Sequence, residues 1–128
     1  PIEAKQGAAS YVAAELKKSI EESPRDAKNY LYLMSVLNHF SPQTSNYDEV
    51  MSLGARALKL SPTRPQIYFE LGWAAQTRKD HDVALEYFRA AIDLNPYPKE
   101  SHLNFLFAAI IADREDLVQQ EKEDLTDP

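Results

Sequence analysis

The sequence predicts an all-α solenoid of about seven antiparallel helices, and three observations carry that reading. Leu71, Gly72, Ala84, Phe88, Ala91 and Pro96 fall at places seven, eight, twenty, twenty-four, twenty-seven and thirty-two of a 34-residue frame over residues 65–98. Moving its second half back by 34 places sets Asp82 on Asp48, Ala84 on Val50, Leu85 on Met51, Ala91 on Ala57, Ile92 on Leu58, Leu94 on Leu60 and Pro96 on Pro62. Self-similarity at this period is the mark of stacked helix pairs, none of which can bury its apolar face without a neighbour. Third, a weaker copy lies upstream, where Val12, Leu16, Ile20 and Pro24 read as the second helix of a repeat whose first helix is missing.

Each helix follows from local signals. The first is expected over residues 4–22 and the second over 27–40, with Pro24 stopping one and Asp26 placed to cap the next. The third spans 47–60, opened by Ser45 and Asp48 at capping-box spacing. The fourth spans 65–77, with Thr63 and Gln66 at the same spacing and Pro65 in the first turn, where its missing N–H does no harm. The fifth runs over 82–94. The sixth, 98–112, is apolar on nearly every side, so it is buried or forms a contact surface. The seventh, 115–124, has only Leu117, Val118 and Leu125 as anchors and reads as a polar cap over the last hydrophobic face, with disorder expected beyond Asp124.

One repeat departs from the frame. Met34 stands where Gly72 stands in the later repeat, and Gly54 stands where Phe88 does. This is an exchange of volume across one interface, of the kind packed cores tolerate. Its turn, residues 41–46, is longer by four residues and is expected to be solvent-facing and flexible. Close contact is also expected between Gly72 and Ala84. The chain then divides into a partial repeat 4–24, a repeat 27–64, a repeat 65–98, and a partial repeat with cap 99–125, all in one domain, 1–128.

Composition narrows the function classes. The chain has 128 residues, 44% hydrophobic and 27% charged, with a net charge of −6 and a pI near 5.0. An acidic chain lacks the clustered Lys and Arg of a nucleic-acid footprint, so no nucleic acid is expected. No apolar run approaches the roughly 18 residues of a membrane span, so no direct membrane insertion is expected. The absence of cysteine excludes disulfides, zinc ribbons and thiol catalysis. His39, His81 and His102 lack a second ligand at helical spacing, so neither metal nor cofactor is expected; His81 is placed in a turn and the others on helix surfaces. Asp80, His81 and Asp82 are consecutive and point different ways, forming a turn rather than a catalytic pair. No Gly-rich phosphate loop or nucleophile elbow is present. The acidic residues read as scattered over outer faces, not as the paired carboxylates a glycan-cleaving enzyme needs. The chain opens mid-repeat without an initiator Met or leader and reads as an excised piece of a larger protein.

The 34-residue frame resembles the tetratricopeptide family across nearly the whole chain. The resemblance implies a right-handed superhelix of helix pairs whose concave groove, lined by the first helix of each repeat, holds an extended peptide or partner helix. Places two, five, nine and twelve face that groove. They select Gln66, Phe69, Trp73 and Gln76 from the fourth helix. From the second they select Lys28, Leu31, Ser35 and Asn38, with Tyr32 and His39 beside them, and from the sixth Glu100, Leu103, Phe107 and Ile110. The expected groove residues are Tyr32, Ser35, Gln66, Phe69, Trp73, Gln76, Leu103 and Phe107, with Trp73, the sole tryptophan, as anchor. Tyr30, Tyr68 and Tyr87 are assigned to packing. Leu31 and Ser35 occupy the places where one subset of the family has the Lys and Asn that clamp carboxylate termini, so that clamp is not expected.

Two strings, EESPRDAKNYLYL (21–33) and LSPTRPQIYFELG (60–72), resemble the soluble repeats that follow the membrane spans of bacterial O-antigen ligase or polymerase-like proteins. That resemblance implies an extracytoplasmic piece tethered to a membrane domain; without it the chain would be cytoplasmic. The function expected is a non-enzymatic scaffold for a protein or peptide segment. The alternative is a structural spacer or oligomerisation module, its groove filled by the seventh helix or by a second copy, with self-association through the sixth helix.

Overall fold

The computed structural model describes residues 1–40 and 46–126. Among them are seven helices and no strand: α1 (Ile2–Glu22), α2 (Ala27–His39), α3 (Tyr47–Leu60), α4 (Pro65–Thr77), α5 (His81–Leu94), α6 (Lys99–Ile111) and α7 (Glu115–Thr126). Each helix packs on the next, and α4 also touches α2 and α6, which sets the first helices of successive repeats side by side. The α4–α5 pair is the most extensive.

Two apolar clusters share α4. Ile20, Tyr30, Leu33, Met34, Val50, Leu53, Ile67 and Leu71 form one, between α1, α2, α3 and α4. Phe69, Ala75, Ala84, Leu85, Phe88, Ile92, Phe105 and Ala109 form the other, between α4, α5 and α6, with Leu117 and Val118 of α7 resting on it. A helix that feeds a cluster on each side has little face left for solvent, which is why α4 is the most apolar stretch before α6.

The repeat is written into the backbone hydrogen bonds. After α4, Lys79 N–H donates to Gln76 O and Asp80 N–H to Ala75 O; after α6, 34 residues on, Asp113 N–H donates to Ile110 O and Arg114 N–H to Ala109 O. Lys79 (φ 66°) and Asp113 (φ 58°) take the left-handed conformation that lets these bonds close, the Schellman ending, here without glycine. The turns between repeats match at a spacing of 38: Asp26 N–H to Ser23 O and Asn29 N–H to Asp26 O recur as Arg64 N–H to Ser61 O and Ile67 N–H to Arg64 O. The four extra residues therefore fall between α2 and α3, where the sequence places them.

Several local expectations are corrected. Asp26 does cap α2, accepting from Lys28 N–H at 3.1 Å. The Thr63 cap is not made: α4 has Arg64 at its N-cap with no side-chain bond, and Arg64 O takes the Ile67 N–H. Ser45 and the rest of 41–45 lie outside the described residues; the N-cap of α3 is Asn46, whose amide reaches back to Leu37 O at 3.3 Å. Helix α7 runs on to Thr126, past the expected end at Asp124; Asp127 and Pro128 lie outside the described residues.

The volume exchange is physical. A Cβ on Gly72 would lie 2.5 Å from Phe88 Cε1, so the Phe88 ring is the nearest side chain to Gly72. A Cβ on Gly54 would lie 2.4 Å from Leu71 Cδ2 and 3.1 Å from Met34 Cε.

Cap helix α7 is held by more than its apolar anchors. Glu121, 1% exposed, is bonded by His102 Nδ1 and lies 3.5 Å from Arg89 Nη1, whose guanidinium covers the Phe105 ring at 4.2 Å. The second His102 nitrogen, Nε2, faces Pro96 O. Both ring nitrogens meet acceptors, so this histidine is bonded on both sides only as an imidazolium. Glu121 and Glu70 are thus buried carboxylates, contrary to the expectation that the acids lie on outer faces, and His102 is not a plain surface residue.

Candidate functional site

The face made by α2, α4 and α6 holds a groove of about 440 Å³. Leu31, Tyr32, Ser35 and His39 of α2 form one wall, Gln66, Phe69, Glu70 and Trp73 of α4 the floor, and Glu100 and Asn104 of α6 the other wall. These helices share a face because each begins its repeat, and the period of 3.6 brings residues three and four apart onto one stripe.

Polar bonds fix the floor. Asn38 Nδ2 donates to Glu70 O at 2.8 Å and to Glu70 Oε2 at 3.1 Å, and His39 Nε2 donates to Glu70 Oε1 at 3.0 Å. The carboxylate can only accept, which puts a proton on His39 Nε2. The hydrogen bond that His39 donates to Glu70 raises the His39 pKa above its ordinary value, against partial burial, and the Glu70 charge adds to it. The His39 ring meets Trp73 edge-on, centroids 6.2 Å apart, and Trp73 meets Phe88 in the same way at 5.5 Å. Trp73 is therefore half in the core and half in the groove.

Of the eight groove residues expected from the sequence, Tyr32, Ser35, Gln66, Phe69 and Trp73 line this one cavity. Phe69 is nonetheless 6% exposed and belongs mainly to the core. Gln76 does not line it; its amide lies 3.3 Å from His81 Nδ1, turned to the α4–α5 junction. Leu103 and Phe107 also stand apart from it, exposed on α6 with Ile110 and Ile111. No residue of α7 lines the groove, so that helix does not fill it. Glu70 and Asn104 were missed. A signal existed for Glu70, a lone acid inside the run IYFELGW, where both helix faces are buried. Among the described residues no three His, Asp or Glu side chains gather as a metal site, and no helix is long and apolar enough to cross a membrane.

The imidazoles predict how stability varies with pH. Burial works against charge on His102, but the bonds to Pro96 O and Glu121, with the attraction of Glu121, outweigh that and the repulsion from Arg89, so its pKa is raised like that of His39. A raised folded pKa gives stability that is fully present below the unfolded value, near 6.5, and lost as pH rises through the folded one. The urea midpoint should therefore fall between about pH 6 and pH 8. A midpoint that rises over this range would show that neither histidine is bonded as described.

Helix pairs stacked at a 34-residue period, with first helices lining a shared groove, form a tetratricopeptide-like solenoid. The tetratricopeptide repeat family matches residues 65–98, the α4–α5 repeat. Comparison with characterised proteins gives no match. Among solved structures the fold is similar to MamA from Desulfovibrio magneticus RS-1, residues 41 to the end (TM-score 0.76, 17% identity, 98% of this chain and 72% of that one). It is also similar to MamA AMB-1 (0.64, 21%, covering 87% and 58%) and MamA MSR-1 (0.66, 22%, covering 94% and 69%). At these identities the likeness shows the fold.

Proposed function

We propose that the chain is a non-enzymatic scaffold that holds a segment of a partner protein in the α2–α4–α6 groove. The observation that carries this is the groove itself, continuous across three first helices, with the sole tryptophan partly exposed at its floor. Aromatic anchors in concave sites dominate binding energy in many interfaces. The resemblance to repeats of O-antigen ligase or polymerase-like proteins gains no support from the comparisons, and the scaffold reading does not depend on it. Trp73→Ala should weaken capture of bound polypeptide by about 2 kcal/mol or more. Since the ring also packs on Phe88, Tyr32→Ala, whose side chain is 53% exposed, is the cleaner variant. Quantitative pull-downs in which both variants retain the partners of the parent, with Lys18→Ala as control, would refute the reading.

The second reading, an oligomerisation module, is favoured by one observation: α6 leaves Leu103, Phe107, Ile110 and Ile111 exposed beside the docked cap. A contiguous apolar strip of this sort marks a contact surface. Sedimentation should then show association that Phe107→Glu abolishes; a parent chain monomeric at all concentrations removes this reading.

A further inference from the structure

Asn104 is nine-tenths buried (9% exposed), lines the groove, and makes no side-chain hydrogen bond among the described residues. An amide in that position is costly to leave unsatisfied once the groove is filled, so it points to an occupant with polar atoms. Its surroundings say which. The Glu70 carboxylate takes one donor on each oxygen, from Asn38 and His39, which leaves a lone pair on each. Glu100 stands exposed on the α6 wall; among the described residues lining the groove none is Lys or Arg, and the one imidazole, His39, is already engaged with Glu70 Oε1. Tyr32 and Trp73 add aromatic surface.

We propose that the groove takes a basic side chain, lysine or arginine, of the bound segment. Its cationic head lies between Glu70, Glu100 and the Asn104 carbonyl, and its methylenes lie against Tyr32 and Trp73. This rests on the scaffold reading and gives its partner a chemistry. An apolar side chain would bury Asn104 and the Glu70 lone pairs without partners, and an acidic one would meet two carboxylates. A cation answers both carboxylates and the Asn104 carbonyl at once and gains from the aromatic faces, while the Asn104 N–H groups are left for carbonyl oxygens of the bound segment.

Short acetylated and amidated peptides of alanine and serine, differing only at a central Arg, Lys, Gln, norleucine or Glu, test it against the full chain. Backbone amide shifts locate the binding, and Trp73 emission follows it. The Arg and Lys peptides should bind about tenfold more tightly than the others, with a preference that shrinks at high salt. Glu100→Gln should reduce that preference several-fold while the circular dichroism and melting curve stay those of the parent. If the Gln or norleucine peptide binds in the groove as tightly as the Arg peptide, the basic-chain inference fails and the scaffold reading stands. If no peptide shifts residues of the α2–α4–α6 face, both fail.

Discussion

Glu121→Ala is expected to release α7 from the solenoid while α1 to α5 stay folded. The carboxylate is 1% exposed and is the shared acceptor of His102 and Arg89, so its loss leaves two cationic groups facing each other with no anion between them. Breaking a buried ion pair in this way costs roughly 3 to 5 kcal/mol. Arg89 is a third exposed and can swing to water, which softens the loss. The remaining anchors of α7 are Leu117 and Val118, both only partly buried, each worth less than the roughly 1.5 to 3 kcal/mol of a fully buried side chain. The helix should therefore undock before the body yields. Hydrogen exchange should show loss of protection across residues 115–126 with the protection of α4 and α5 unchanged. Glu121→Gln, which keeps an acceptor but not the charge, should lie between the two. Protection of α7 equal to that of the parent would show that the triad does not hold the cap.

The reason this contact escaped the sequence reading is physical. Glu121 sits in the acidic run EDLVQQEKEDL, where periodicity assigns every charge to solvent. Its partners lie 19 and 32 residues away, at His102 and Arg89, and only the stacking of α5, α6 and α7 brings them together. The helices themselves were legible to within a few residues because their apolar stripes and prolines are local signals. The Met34–Gly54 exchange was legible because a 34-residue frame compares like positions. The turns closed by Lys79 and Asp113 were not, since the residues there are not the glycines that mark a left-handed ending. In the groove, the inward places of α4 line the cavity from Gln66 to Trp73, with Phe69 mostly in the core, while Gln76 at the end of the helix meets His81 instead. On α6 Glu100 lines the groove but Leu103 and Phe107 do not, since among the described residues no further first helix stands beyond α6 to wall them in.

The most exacting test of the repeat is to transplant one solution for its core into the other. Residues 34 and 72 are equivalent, as are 54 and 88, and the two repeats fill that slot oppositely: Met against Gly in one, Gly against Phe in the other. Gly72→Met alone should destabilise by roughly 1 to 3 kcal/mol, because its Cβ enters a space already occupied by the Phe88 ring, and the roughly 1 kcal/mol that Met gains over Gly in helix propensity does not cover the clash. Phe88→Gly alone should cost roughly 3 to 5 kcal/mol, since the ring is fully buried and leaves a cavity. Combined, the methionine fills the space the ring vacates, and the double variant should be more stable than the sum of the two losses by about 2 kcal/mol. Recovery stays incomplete because the edge-on contact between Trp73 and Phe88 is gone and a glycine is added to the middle of α5. Urea melts of the four proteins give the coupling directly. Additive losses would mean that position 72 does not pack against position 88, and that the two helix pairs are not copies of one packing arrangement.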